Sequence, residues 1–294
     1  MRVKRTACIT LDLEADPGTS DPQVLLLQDQ RLLARYRQIL EAHRAPLSAF
    51  LVTSLIHPLR AEVRSFCEHT ARDIHIHSHA HDPVAPCTPA DIARAASDFE
   101  SFFGRRPTGY RAPYGLITRD GLRFLAREGF AFDASVFPSI RFDRYGYCNL
   151  GLPQVPFRFE EAGRSILELP FATLRGARLI FSISYVKLLG WPLFRQLLGA
   201  FRLPPIVVID AHPYDFYYHL LPGSSEGWKR AIHMRNAERA FDLFECMLRW
   251  LRDRGYEFAT MSELAASQHR DAELARVPLA KLRESRGAAV RGKK

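Results

Sequence analysis

With 294 residues, 47% hydrophobic content and a net charge of +9, the chain can bury one large core, and an α/β barrel of this size is routinely a single domain. Its five cysteines (Cys8, Cys67, Cys87, Cys148 and Cys246) are scattered and form no C-x-x-C pair, which argues against a disulfide framework and for a reducing compartment. The positive charge is diffuse and accompanies no nucleic-acid-reading motif, so nucleic acid is set aside as a partner, and no apolar run is long enough to span a bilayer.

The opening Met1-Arg-Val-Lys-Arg has no apolar stretch or cleavage site behind it, so the expected location is cytoplasmic. Residues 7–16 alternate. Ile9, Leu11 and Leu13 share one face, and Thr10, Asp12 and Glu14 the other. The polar face of this strand carries acids where solvating lysines would be ordinary. Pro17 and Gly18 end it. Helical spacing follows over 24–43, a short apolar strand over 47–53, and a helix over 58–70.

Residues 73–82 read Asp-Ile-His-Ile-His-Ser-His-Ala-His-Asp. A strand would spread residues four apart over roughly 13 Å, too far for two imidazoles to share one ion. A helical turn brings the same spacing to about 6 Å. The stretch is therefore expected to be a strand ending near His77 and bending into a turn, with His77 and His81 converging. A lone histidine here would read as a solvated strand end. His-Ser-x-x-His reads as a metal pair once carboxylates lie nearby. His75 and His79 are read as structural or pocket-lining.

A helix over 89–103 stops at Gly104 and Pro107, and a strand over 108–111 leads into Arg111-Ala-Pro-Tyr114. A helix over 118–128 and strands over 130–136, 166–170 and 206–209 follow, the last releasing Asp210 and His212. A strongly amphipathic helix over 236–254, a strand over 256–261 and a short helix capped by Ser262 and Glu263 complete the pattern. Alternating strands and helices with short connections imply a parallel sheet, and the polar clusters sit at C-terminal strand ends, where a β/α barrel keeps its site. The expected architecture is α/β: a single-domain, irregular, TIM-barrel-like (β/α) barrel of seven or eight strands over residues 1–268. A basic, flexible tail is expected over 269–294. Residues 179–203 are unusually apolar and are punctuated by Lys187, Arg195 and Arg202. They read either as helix packed on the barrel wall or as an interfacial segment placing Trp191 and Phe194 in a membrane and the cations at anionic headgroups.

Taken in order, the strand ends carry Thr10-Leu-Asp12-Leu-Glu14, His77-Ser-His-Ala-His81, Arg111-Ala-Pro113-Tyr114 and Ile209-Asp-Ala-His212. This ordered set resembles the polysaccharide deacetylase family, also called the NodB-homology or carbohydrate esterase 4 family, over residues 5–265. Two departures stand out. The first acids are spaced rather than adjacent, which leaves Glu14 and Asp16 both open as a ligand, with alternation favouring Glu14. The fourth motif lacks its tryptophan and reads Phe132-Asp133-Ala-Ser-Val-Phe137.

The resemblance implies a metal-dependent hydrolase that removes an N-acetyl or similar small acyl group from an amino sugar of a glycan or glycan precursor. Its one divalent metal would sit on His77, His81 and Glu14 or Asp16. Zinc suits such a set, with cobalt, nickel or iron as alternatives. Asp12 is the candidate general base, Arg111 its ion-pair partner and His212 the general acid. The Tyr114 N–H would hold the oxyanion, with Pro113 and Asp133 beside the substrate. The implied partner is an amino-sugar glycan, or a lipid- or nucleotide-linked precursor met at an anionic inner membrane face. Two competing readings are a hydrolase of a non-sugar amide and a non-catalytic carbohydrate-binding barrel. No feature of the sequence reports oligomeric state.

Overall fold

The computed structural model describes residues 4–19, 21–82, 84, 87–143, 145–221 and 227–284. Strand β1 (Arg5–Leu13) is buried along almost its whole length, as a strand covered on both faces must be. Helices α1 (Leu25–Gln28) and α2 (Gln30–His43) follow in place of one helix. The break falls at Asp29, whose carboxylate accepts the N–H groups of Arg31 and Leu32 and so starts a second helix. The barrel continues with β2 (Leu47–Leu51), α3 (Arg60–His69), β3 (Ala71–Ile76), α4 (Pro89–Phe103), β4 (Gly109–Tyr110), α5 (Arg119–Arg127) and β5 (Phe132–Asp133). Two antiparallel hairpins come next, β6 (Ile140–Arg141) with β7 (Tyr147–Cys148) and β8 (Phe157–Glu161) with β9 (Arg164–Glu168). Then come α6 (Ile183–Leu189), α7 (Trp191–Ala200), β10 (Ile206–Ile209), α8 (Gly227–Met234), α9 (Ala240–Asp253), β11 (Tyr256–Phe258), α10 (Met261–His269) and β12 (Arg276–Pro278).

The strands β10-β1-β2-β3-β4-β5-β9 are neighbours in that order and pair in parallel. Just past β9, Phe171 bridges Val208 of β10, which joins the two ends into a ring of those strands. Seven strands thus make the barrel. Outside it, β8 extends from the free edge of β9, β12 pairs with β8, and β11 pairs with the first residues of β1. The ring is irregular because β4 and β5 are only two residues each. They also pack closely: a Cβ on Gly109 would lie 2.2 Å from Cζ of Phe132, so only glycine fits there.

The parity read from the sequence sorts β1 correctly. Ile9, Leu11 and Leu13 join the large apolar cluster under the helices, while Cys8 belongs to a smaller cluster inside the barrel with Phe50, Phe132, Leu167 and Val208. Met261, Leu264 and Ala265 of α10 join that inner cluster and plug the end where the strands begin. The cap of α10 is Thr260 paired with Glu263, and the expected cap Ser262 instead donates to Asp73.

One expectation needs correction. The expected flexible tail over 269–294 is packed in its first part, because β12 docks on β8 and Val277, Leu279 and Leu282 are buried. Arg119 also reaches the carbonyls of Ala280 and Leu282, and its N–H donates to Glu284. Three apolar residues among charged ones are too few for periodicity to reveal. Residues 285–294, the rest of the expected tail, lie outside the described residues. Residues 179–203 fold as α6 and α7, with Phe181, Ile183, Val186, Phe194 and Leu198 buried. Phe194 and Lys187, assigned to a membrane face in one reading, are both interior. Among the described residues no helix is long and apolar enough to cross a membrane.

Candidate active site

The C-terminal ends of the strands open into a cavity of about 730 Å³ lined by Asp12, Glu14, His77, His81, Tyr114, Asp210 and His212 among others. Strand β3 ends at Ile76, and the turn after it is built from left-handed residues, Ser78 (φ 69°) and His81 (φ 51°). Such φ values are costly for non-glycine residues and persist only where the surroundings enforce them. Here the Asp91 carboxylate accepts the N–H groups of His79 and Ala80, and Ser78 Oγ accepts that of His81. The turn brings the His77 and His81 rings to 5.1 Å between centroids.

Glu14, one step past β1, meets both imidazoles: its Oε2 contacts His81 Nε2 and lies 3.7 Å from His77 Nε2. One ligand atom from each of these three residues falls within 4.8 Å of the others. The His77 Nδ1 lies 2.9 Å from the carbonyl oxygen of Arg111, which directs Nε2 toward Glu14. Tyr214 donates to the other oxygen of Glu14 at 2.8 Å. Burial would raise the Glu14 carboxyl, but the two histidines outweigh it and hold it well below the usual range. Two imidazoles and a carboxylate with second-sphere bonds on both kinds of ligand fit a divalent cation.

Beside this trio lies a buried ion pair. Arg111 Nη1 reaches Asp12 Oδ1 at 2.6 Å and Thr10 Oγ1 at 2.8 Å, while its Nε donates to the carbonyl of Ala134. The guanidinium is fully buried between the rings of Phe50 and Phe171, at 3.9 and 4.5 Å. Asp12 Oδ2 lies 3.6 Å from His77 Nε2, so this carboxylate faces both the arginine and the trio.

His212 follows β10 and stacks on Tyr214. Its N–H donates to Asp215 Oδ2 at 3.0 Å, its Nδ1 lies 3.3 Å from the same oxygen, and its Nε2 lies 3.7 Å from Asp210. Burial pulls His212 down, but Asp210 and the bond to Asp215 outweigh it and hold the imidazole well above its ordinary value.

Other expected residues sit elsewhere. The Asp16 carboxylate is taken up by Tyr217 Oη at 2.6 Å and the N–H of Leu25 at 2.7 Å, so Glu14 is the acid that meets the histidines. Asp133 lies between Phe132 and Ala134, which face the barrel interior, so its own side chain points the other way; it is fully buried, accepts from Ser135 at 2.6 Å and interacts with Glu168 instead of lining the cavity. Pro113 is also buried and outside the lining, whereas Tyr114 lines it, left-handed at φ 57°, tilted against His81 and stacked on Tyr145. The sequence reading missed Asp215, Tyr214 and Tyr145, and gave Lys187 no place at the site. Asp215 had a signal, since an acid three residues after His212 matches capping-box spacing.

A site that can hold a cation, take up a proton and return one has the parts needed to hydrolyse an amide. Residues 16–132 match the sequence model of the polysaccharide deacetylase family. Over that stretch the chain is similar to polysaccharide deacetylases. The matched stretch contains His77, His81, Arg111 and Tyr114, while Asp12, Glu14 and His212 lie outside it.

No curated protein matches the sequence. Among solved structures, the fold is similar to a Mycobacterium smegmatis protein assigned to the polysaccharide deacetylases, at 17% identity, TM-score 0.57, covering 94% of this chain and 95% of that one. A Pseudomonas aeruginosa PAO1 protein with the same assignment is 14% identical, with TM-score 0.55 and 91% of each chain covered. A carbohydrate esterase family 4 pseudoenzyme from Bacillus anthracis is 10% identical, with TM-score 0.51 and coverage of 90% of this chain and 66% of that one. At such identities the likeness establishes the fold alone. Because one of these relatives is a pseudoenzyme, the case for catalysis here rests on the side chains.

Proposed function

We propose that the protein removes an N-acetyl or similar small acyl group from an amino sugar of a glycan or glycan precursor. One divalent cation, zinc before cobalt, nickel or iron, would be held by Glu14, His77 and His81. The observation that carries this reading is the convergence of that trio, Asp12 and His212 in one cavity, with Arg111 buried behind Asp12. When bound, the cation supplies Lewis acidity toward the acyl oxygen and makes a water more acidic.

The chain's own residues supply the remaining chemistry. Asp12, oriented by Arg111, takes the proton of the attacking water. The N–H of Tyr114 is assigned to the oxyanion. His212 protonates the departing amine, a contribution typically of about 10²–10⁴-fold. Glu168 and Asp133 support the barrel wall and take no part.

An amino sugar on a lipid or nucleotide carrier is the form of precursor that suits a cytoplasmic enzyme. A net charge of +9 would draw the protein to an anionic surface. With Lys187 and Phe194 interior, any membrane contact in the region of α6 and α7 would fall to Leu193, Arg195 and Arg202. Sedimentation with anionic liposomes, comparing wild type with Leu193→Ser, tests that part.

Acetate release from N-acetylglucosamine oligomers, with and without a chelator and beside a panel of non-sugar amides, tests the activity. Metal-replete protein that turns over no amide would favour the non-catalytic barrel. Turnover confined to the non-sugar panel would move the substrate class.

A further inference from the structure

Lys187 lies on α6, in the connection between β9 and β10, with its side chain only 3% exposed. A buried ammonium costs several kcal/mol unless it is paired. Its partner is Asp215, 3.2 Å from Nζ and itself 1% exposed. Ser184, also on α6, places its hydroxyl 2.9 Å from both oxygens of the same carboxylate. Asp215 in turn contacts His212 twice, through the backbone N–H and through ring Nδ1.

Helix α6 is tied to this spot at both ends. Its first residue, Ile183, donates its N–H to the carbonyl of Asp210 at 3.2 Å, and Asn236 donates to the carbonyl of Lys187 at 2.7 Å. Burial would raise Asp215, but Lys187 and His212 hold it well below the ordinary carboxylate value. A carboxylate kept ionised can only accept hydrogen bonds, so it fixes the proton of His212 on Nδ1 and turns Nε2 toward the cavity.

We propose that Lys187 and Ser184 of α6 are positioning residues that lock Asp215 as an acceptor and thereby hold His212 in the orientation that protonates the leaving amine. This rests on the reading of His212 as general acid. Lys187 does not line the cavity. Without it, Asp215 would protonate or turn away, and His212 would lose its fixed orientation while keeping its place in the chain.

The test compares Lys187→Met, His212→Ala and the double variant on an N-acetyl sugar and on an aryl acetate, whose good leaving group needs no proton. Ser184→Ala serves as the milder probe should Lys187→Met fold poorly, and metal content and thermal midpoint are recorded for each protein. The expected result is a roughly tenfold to hundredfold fall in kcat on the amide for Lys187→Met, within the range of a lost general acid. KM and aryl acetate turnover should stay near wild type, and no further loss should appear when Lys187→Met is added to His212→Ala. Equal damage to amide and ester, or an additive loss in the double variant, would make Lys187 a purely structural residue and overturn the inference. If His212→Ala itself spares amide hydrolysis, the general-acid reading fails first.

Discussion

Arg111 Nη1, just past β4, and Asp12 Oδ1, in β1, meet at 2.6 Å although those strands are separated in the ring by β2 and β3. The pair crosses the barrel interior. Removing one partner of such a pair leaves a buried charge and costs about 3–5 kcal/mol. Arg111→Met should therefore destabilise the protein by about that amount in urea denaturation and abolish turnover. Adding Asp12→Asn to it should recover part of the stability and none of the activity. Arg111→Lys keeps the charge but loses the planar fork and the stacking on Phe50 and Phe171, so it too should fall well short of wild type.

For the cation, Glu14→Gln, His77→Ala and His81→Ala should each lose bound metal and turnover, as read by elemental analysis of the purified protein. Asp16→Asn and His79→Ala are the controls and should keep most of their metal. Asp16 is occupied by Tyr217 and Leu25, and His79 by Thr53 and Asp98. Metal loss in Asp16→Asn with retention in Glu14→Gln would exchange the two carboxylates.

Asp210 titrates in an unusual place. Burial, and then the charge of Asp12, push it up to about 8. The ordinary aspartate value is about 3.9. Between the two the folded protein holds a proton that the unfolded chain has released, so Asp210 makes stability fall as pH rises through that window. Asp210→Asn removes this slope, and its stability relative to wild type should improve from pH 5 to pH 8, by at most about 1.4 kcal/mol per unit. Parallel stability curves for the two proteins across that range would refute the assignment.

The docked segment after α10 gives a packing test. Leu282 is 1% exposed, and Leu282→Ala should cost about 2–5 kcal/mol, as cavity-forming changes in cores do. A tail without fixed packing would show no change in the urea midpoint.

Much of the site could be read from the sequence because it obeys local rules. Thr10, Asp12 and Glu14 share a face through the two-residue period of a strand, and His77 and His81 meet through the spacing of a turn. What could not be read depends on tertiary placement. Asp133 alternates with Phe132 and Ala134, and only closure of the ring decides which of the two faces looks inward; Phe132 and Ala134 take the interior, and Asp133 meets Glu168 on the other face. Lys187 sits in an apolar run where a cation suggested a membrane surface, and only the packing of α6 beside the loop after β10 supplies its carboxylate. Strands β4 and β5, at two residues each, are too short to display any period.

The pairing of β1 also bears on how the molecule comes together. One edge of β1 meets β2, which follows soon in the chain, but along Thr6 to Ile9 the other edge waits for Ile206 to Ile209. Contacts so distant in sequence are slow to close, and an unpaired strand edge invites the wrong partner meanwhile. His212 arrives with β10, so Asp12 and Glu14 gain it only when that edge is sealed. During refolding, far-ultraviolet helical signal should therefore return well before catalytic competence, and the last step should be the one that seats β10.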